Sequence, residues 1–267
     1  MQKRIIDFHT HAFPDALAPH AMKTLLEEAP DVRAYLDGTT GDLLVSMRKC
    51  GIEKSLVSCI VTRPGQFESI FCWCVESRSD KLDFLPSVHP DDSHCLEQLD
   101  RIKAEGFKGI KLHPFYQDFY ADEDRLLAIY EKLCRLDMFV LMHTGFDIAF
   151  PRIRRADPRM ILRIQEMFPN LKFITTHFGA WQQWDEVRDT LIGRDIYIEI
   201  SFALDYLKLE QAREMVMNHP KNYLLFGTDS PWTDQAQTLL LLEKLILPKD
   251  KLSHMLYINA ARLLDIA

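Results

Sequence analysis

The sequence predicts an α/β protein with the (β/α)8 TIM-barrel architecture. Short β-branched or aromatic runs alternate with longer amphipathic stretches along the 267 residues, a pattern typical of βα units and a parallel sheet. Barrels of about 250 residues commonly form one domain. The segment after the first run, HTHAFPD, lacks the Gly-rich turn that an open doubly wound sheet would favour. We therefore expect a single domain over residues 1–267.

The candidate strands share a short length and a β-branched, aromatic or apolar centre. They are Arg4–His9, Ser55–Thr62, Leu82–Val88, Phe107–His113, Met138–His143, Leu171–His177, Ile196–Ser201 and Leu224–Asp229.

Helix signals stand between these strands. TTGDLLVSMRKCG ends in Gly51, and Pro158 begins PRMILRIQEMF at a position where a missing N–H costs nothing. DEDRLLAIYEKLCRL repeats apolar residues at helical spacing. Because the second strand begins only near Ser55, residues from about 12 to 40 are predicted to form an insertion after strand one that partly covers the barrel mouth.

Composition and charge narrow the class of protein. With 32 Lys and Arg against 39 Asp and Glu, the net charge is −7, which argues against a nucleic-acid partner. No apolar run approaches the roughly 18 residues that span a bilayer, and MQKRIIDFHTH leaves no room for a signal peptide. The six cysteines are scattered along the chain and form no CxxC motif, which favours free, reduced thiols over disulfides. We expect a cytoplasmic protein without a membrane or nucleic-acid partner, and the oligomeric state, a homo-oligomer included, stays open.

Polar side chains stand at the carboxyl ends of four candidate strands, where barrel active sites form. They are His9, His11, His143, His177 and Asp229. Imidazole nitrogens and a carboxylate oxygen are ligands for zinc and related metals. The alternative is a set of hydrogen-bonded core histidines, but burying all five unpaired would be costly. The pattern predicts a divalent-metal site, with zinc as the expected ion, present once or twice.

Other residues near the mouth have two interpretations each. Lys111 either becomes a carbamylated bridge between two metals or binds a substrate anion. His113 either contacts substrate or makes structural hydrogen bonds. Arg63 either clamps a carboxylate or is a solvated loop residue. Trp232 either lines an aromatic wall for substrate or packs within its loop.

Two inward positions lie close to the predicted ligands. Asp7 is one inward step deeper than His9, where it could orient an imidazole. Ser201 ends strand seven and is interpreted as a space-filling residue.

The chain resembles the amidohydrolase superfamily, in its amidohydrolase-related (amidohydrolase-2) branch of metal-dependent TIM-barrel hydrolases. The resemblance runs through IIDFHTHAFP, GFKGIKLHPFYQDF, VLMHTGF, FPNLKFITTHFGAW, LLFGTDSPW and INAARLL, essentially the whole chain. It implies that His9, His11 and His143 are metal ligands and that Asp229 is the eighth-strand carboxylate. His177 would bind a second metal or act as a catalytic histidine. GIKLHP resembles the strand-four lysine segment of binuclear members such as dihydroorotase, so the metal count stays open.

The resemblance and the residues together favour a metal-dependent hydrolase. A metal-activated water would attack a small carboxylated amide, lactone or related compound, with Asp229 moving the proton and His177 polarising the carbonyl. The nearest alternative is a non-oxidative decarboxylase of the aminocarboxymuconate-semialdehyde decarboxylase type. A TatD-like nuclease is disfavoured by the charge of −7 and by Lys111 on strand four. A non-catalytic metal-binding protein is the alternative outside the enzymes.

Overall fold

A computed structural model describes residues 4–266 and confirms the eight predicted strands. They are β1 Ile6–Thr10, β2 Lys54–Ser58, β3 Leu82–Leu85, β4 Gly109–Leu112, β5 Phe139–Met142, β6 Lys172–Thr175, β7 Tyr197–Glu199 and β8 Leu224–Leu225. Each is followed by helix, and the paired strands are parallel. The chain therefore has the predicted (β/α)8 TIM-barrel fold.

The helices alternate with the strands. They are α1 Ala18–Glu28, α2 Thr40–Cys50, α3 Phe67–Ser77, α4 Cys95–Ala104, α5 Asp124–Arg135, α6 Pro158–Met167, α7 Trp184–Thr190, α8 Leu209–Asn218, α9 Gln235–Lys244, α10 Lys249–Ser253 and α11 Asn259–Leu264. A 3-10 turn at Lys221–Tyr223 and a π-helical turn at His254–Ile258 complete the set.

Two helix ends show why the sequence signals were informative. Pro158 stands at the start of α6, and Asp157 before it accepts hydrogen bonds from the backbone N–H groups of Arg159 and Met160. α2 ends at Cys50, and Gly51 after it has a left-handed φ of 68° and a backbone N–H that donates to the carbonyls of Met47 and Arg48. Glycine adopts this conformation at no steric cost, which explains the stop.

The strands are shorter than predicted, and β4, β5 and β6 end before the histidines that the sequence had placed in them. His113, His143 and His177 each follow the last ladder residue and belong to the loops. Loops at the carboxyl ends of barrel strands carry function, so the polar residues stay at the predicted edge even though the strand ends earlier.

The chain forms two compact units, and the first comprises residues up to Val57, Ser79–Asp83 and residues from Glu199 onward. Within it, β1 pairs with β2 in parallel, with Ile6 opposite Lys54. On its other side, the Phe8 N–H donates to the Phe226 carbonyl at 2.9 Å. These two pairings fix the end of β1 and of the segment after β8, which carry three of the predicted site residues.

The second unit comprises Ser58–Arg78 and Phe84–Ile198. In it β4, β5 and β6 form continuous parallel ladders, and Ile174 of β6 pairs with Tyr197 of β7. α5 buries the predicted apolar face, and its Tyr130 hydroxyl donates to the Ala121 carbonyl at 2.6 Å. The single-domain organisation of the whole chain stays a prediction.

The predicted insertion contains α1, between β1 and α2. That it covers the barrel mouth stays a prediction. Across the described residues, helices of membrane-spanning length and apolarity are absent.

The ammonium group of Lys251 stabilises the end of α8. Its Nζ donates to the carbonyls of Val216, Met217 and His219 at 2.7–2.8 Å. Helix carbonyls at a C-terminus lack internal partners and attract positive charge. Burial lowers the pKa of Lys251.

Replacing Lys251 by Met is expected to reduce the free energy of unfolding by about 1–3 kcal/mol, because the three carbonyls lose a charged donor. Urea denaturation monitored by circular dichroism measures this change. Lys249→Met, at an exposed position of α10, the helix that also carries Lys251, is the matched control. Equal stability of the two variants would show that Lys251 does not hold the helix end.

Candidate active site

Three of the predicted metal ligands lie together in the first unit. His9 Nε2 is 3.2 Å from His11 Nε2, and Asp229 Oδ1 is 3.3 Å from the first and 3.1 Å from the second. We call these three residues the first cluster. His9 and Asp229 are buried, and His11 is partly exposed. The HxH pattern produced this geometry because residues two apart along an extended chain point to the same side, and His11 directly follows β1.

Backbone hydrogen bonds bring the two ends of the first cluster together. The Asp229 N–H donates to the His9 carbonyl at 2.7 Å, and the His11 N–H donates to the Ser230 carbonyl at 2.6 Å. Asp229 itself has a φ of 64°, in the left-handed region that non-glycine residues rarely adopt. Such strained conformations concentrate at functional sites, where the surrounding structure holds them in place.

The spacing of the donor atoms in the first cluster fits a divalent ion. Zinc bonds of about 2.0–2.1 Å in a tetrahedral site set neighbouring ligand atoms about 3.3 Å apart. The three separations of 3.1–3.3 Å in the first cluster match that value. Two imidazoles and one carboxylate are also a donor set that first-row metals accept.

The other ring nitrogen of His9 is held by residues after β7. His9 Nδ1 is 2.9 Å from Ser201 Oγ and 3.1 Å from Glu199 Oε2. A proton on Nδ1 satisfies these acceptors and leaves a lone pair on Nε2, facing the Asp229 oxygen. A lone pair and a carboxylate oxygen repel unless a cation or a proton lies between them, so this arrangement suits a metal ligand.

Glu199 is a neighbour of His9 that sequence reasoning missed. It is fully buried, and its carboxylate accepts hydrogen bonds from the Ser201 N–H and hydroxyl. Burial raises the pKa of Glu199 well above its usual range, with Asp229 and Asp7 adding to the effect. A cation at the first cluster would favour the ionised form. The interpretation of Ser201 as space-filling was wrong, because its hydroxyl contacts the His9 ring.

Asp7 acts on the backbone around the first cluster. Its carboxylate accepts hydrogen bonds from the Thr228 N–H and hydroxyl, from the Gln235 amide and from the His9 N–H. These bonds tie the end of β1 to the segment that leads to Asp229, instead of orienting an imidazole. Burial raises the pKa of Asp7 to about 6.

The remaining strand-end histidines lie in the second unit. Asp147 Oδ2 is 3.4 Å from His113 Nε2 and 3.5 Å from His143 Nε2, and we call these three residues the second cluster. His177 is next to it, with its Nε2 3.0 Å from His143 Nδ1. His177 has a left-handed φ of 56°. Asp147 was missed by sequence reasoning because it lies in the loop after β5, where no periodicity assigns a direction.

The other candidate residues differ in exposure. Lys111 is fully buried on β4. Arg63 is exposed in the loop after β2, and its backbone N–H bonds to Gln66. Trp232 is half-buried, and its backbone N–H donates to the Asp229 carbonyl at 2.9 Å. Their roles in substrate binding, and a carbamylated Lys111, stay predictions.

The fold and the first cluster together define the class of this protein: a TIM-barrel protein with a candidate divalent-metal site. The model of the amidohydrolase family matches residues 6–266, and the chain therefore belongs to that family. Among curated proteins, none matches the chain.

Solved structures with the same fold include enzymes of two reaction types. A 5-carboxyvanillate decarboxylase from Sphingomonas paucimobilis is 14% identical, with a TM-score of 0.78 and 100% of each chain covered. A dihydroxybenzoic acid decarboxylase from Polaromonas, with bound manganese and 2-nitroresorcinol, is 14% identical, with a TM-score of 0.73, covering 99% of this chain and 98% of that one. A probable 2-pyrone-4,6-dicarboxylic acid hydrolase from Acinetobacter baumannii is 13% identical, with a TM-score of 0.69 and coverages of 98% and 99%.

Proposed function

We propose that the chain is a metal-dependent hydrolase acting on a small carboxylated amide, lactone or related compound. The observation that carries the proposal is the first cluster, in which two imidazole nitrogens and one carboxylate oxygen lie 3.1–3.3 Å apart. Three protein ligands with space for a further one are typical of catalytic zinc sites. A bound divalent ion would make water nucleophilic near neutral pH.

The protein's residues would share the remaining tasks. Asp229 accepts the proton of the attacking water and returns it to the leaving group, because its carboxylate has the only formal negative charge in the first cluster. Glu199 and Ser201 hold His9 in the orientation that presents Nε2. The sequence assigns His143 to the same ion and His177 to polarising the substrate carbonyl, and both assignments remain predictions.

The substrate class follows from chemistry and from the proteins with the same fold. The decarboxylases act on hydroxylated aromatic carboxylates by their names, and the hydrolase acts on a dicarboxylated pyrone. A planar carboxylated ring is common to both. Since two of the solved structures with the same fold are decarboxylases, non-oxidative decarboxylation is the second candidate reaction. In it, a group of the site delivers a proton to the ring carbon that loses CO₂. A non-catalytic metal-binding role is the third candidate.

The experiment that tests the proposal has two readouts. After chelation, the protein is titrated with zinc or manganese, and the reloaded protein is assayed against carboxylated lactones, amides and aromatic carboxylates. We expect binding of the ion and consumption of water without release of CO₂. Release of CO₂ would favour the decarboxylase, and bound metal without turnover of any of these compounds would favour the non-catalytic role.

His11→Asn is expected to lower the affinity for the ion at the first cluster at least about 10-fold, because one imidazole ligand is lost. Isothermal titration of the chelated protein measures the change. His20→Asn, at an exposed position of α1, is the matched control. Unchanged metal binding by His11→Asn would contradict the assignment of the first cluster.

A further inference from the structure

The loop after β5 carries an arginine whose charge is not paired with an acid. Arg152 has an amide oxygen and an aromatic ring as neighbours, and across residues 4–266 no acidic side chain forms an ion pair with it. The other arginines of this loop and of α6 form ion pairs; they are Arg154, Arg155, Arg159 and Arg163. We propose that Arg152 binds the carboxylate of the substrate. This inference rests on the proposed function and names the side chain that recognises its substrate class.

Two neutral groups orient the guanidinium of Arg152. Its Nη1 donates a hydrogen bond to Gln182 Oε1, in the loop after β6. Its Cζ lies 4.2 Å from the centre of the Phe146 ring, which is a cation–π contact. Within the part of the chain that the structure describes, the Nε and Nη2 N–H groups have no acceptor. These two adjacent N–H groups form the fork with which arginine binds a carboxylate through two parallel hydrogen bonds.

The position of Phe146 places this fork beside a residue of the candidate site. The Phe146 carbonyl oxygen is 3.1 Å from His143 Nε2, so the residue under the guanidinium also contacts a histidine that the sequence assigns to the metal ion. Arg152 is exposed to solvent, whereas His143 is buried. A small ring held by Arg152 at its carboxylate can therefore direct its opposite end toward His143.

Backbone hydrogen bonds join the two loops that carry these groups. The Trp181 N–H donates to the Thr144 carbonyl at 2.8 Å, and the Phe146 N–H donates to the Trp181 carbonyl at 3.1 Å. Gln182 directly follows Trp181, so this pairing brings its side chain to the loop of the guanidinium. The carboxylate-binding group is thus oriented before a ligand arrives, which lowers the entropic cost of binding.

Arg63 is the arginine that the sequence suggests for a substrate carboxylate, and it differs from Arg152 in how its side chain is held. Arg63 is exposed in the loop after β2, and among the described residues its guanidinium has no hydrogen bond, ion pair or ring contact. Binding of a carboxylate by Arg63 would therefore require ordering of a free side chain, which costs free energy. The fixed guanidinium of Arg152 avoids most of this cost.

Two ligands that differ in one carboxylate test the proposal. Isophthalate has two carboxylates on a planar ring, and 3-carbamoylbenzoate has a neutral amide of similar shape in place of one of them. Isothermal titration gives the dissociation constants of both, with and without added zinc. We expect the natural protein to bind isophthalate about 10–100-fold more tightly, because the amide loses the charge-assisted bonds to Arg152. Arg152→Met should remove this preference, and Arg152→Lys, which keeps the charge without the fork, should retain part of it.

The control variant removes an exposed arginine elsewhere in the second unit. Arg194 follows α7, and its Nε donates to the Thr190 carbonyl at 2.6 Å, so Arg194→Met should keep the preference of the natural protein. Because Arg152 is exposed, Arg152→Met should fold normally, which circular dichroism checks. Equal affinities of the natural protein for the two ligands, or an undiminished preference in Arg152→Met, overturns the proposal. Loss of the preference in Arg63→Met alone also overturns it and assigns the carboxylate to Arg63.

The binding measurement is independent of turnover, so it separates this inference from the proposed function. A preference that depends on Arg152, in a protein that turns over none of the assayed compounds, supports the carboxylate site and counts against the hydrolase. Turnover of a carboxylated compound, together with a preference that Arg152→Met retains, supports the hydrolase and overturns the carboxylate site.

Discussion

Replacing Asp229 by Asn is expected to lower kcat by at least about 100-fold and to weaken binding of the divalent ion. The carboxylate contributes a charged ligand oxygen 3.1 Å and 3.3 Å from two imidazole nitrogens, and it is the group proposed to move the proton. A neutral amide cannot accept that proton, and general-base catalysis contributes about 10²–10⁴-fold. Metal titration and steady-state kinetics on the substrate found in the assay above measure the two effects.

The fold should survive this substitution. Asp229 has a left-handed backbone with a φ of 64°, and Asn is among the residues that tolerate this conformation best. Its backbone hydrogen bond to the His9 carbonyl does not involve the side chain. Asp15→Asn, exposed in the same unit, controls for the change in net charge. A variant with full turnover and natural metal affinity would remove Asp229 from the mechanism.

The fold was predictable from sequence because two periodicities alternate along the chain. β-branched runs gave the eight strands, and local signals such as Pro158 and Gly51 gave helix ends. The carboxyl ends of the strands were less predictable. Nothing in the sequence marks the last residue of the hydrogen-bonded ladder, so His143 and His177 were included in strands although they lie in loops.

The candidate site was predictable where residue types and the period of two coincide. His9 on β1 and His11 just after it point to the same side, and the segment after β8 supplies Asp229. Glu199 was within reach of the same reasoning, since it precedes Ser201 by two residues in the predicted strand Ile196–Ser201, and residues two apart in a strand share a side. Asp147 was not, because loop conformation depends on contacts such as the Ala149 N–H bond, which no local pattern encodes.

Gly227 controls how closely Glu199 can approach His9. A methyl group at this position would lie 2.2 Å from Glu199 Oε1 and 3.0 Å from His9 Cβ. Real Cβ atoms do not tolerate a contact of 2.2 Å, so the Glu199 carboxylate would have to move. The two groups are fully buried and bonded to Ser201, which leaves little room for movement. Gly227 is therefore a steric requirement of the first cluster.

Gly227→Ala is expected to reduce the free energy of unfolding by about 1–3 kcal/mol, as overpacking of a dense core does, and to weaken metal binding about 10–100-fold through the lost support of His9. Urea denaturation and metal titration measure the two effects. Gly41→Ala on α2 is the matched control, because its new methyl group would meet only Thr39 Oγ1, at 3.8 Å. Alanine favours helix over glycine, so the control should be equally or more stable. A Gly227→Ala protein that binds the ion as tightly as this control would show that the Glu199–His9 contact does not position the ligand.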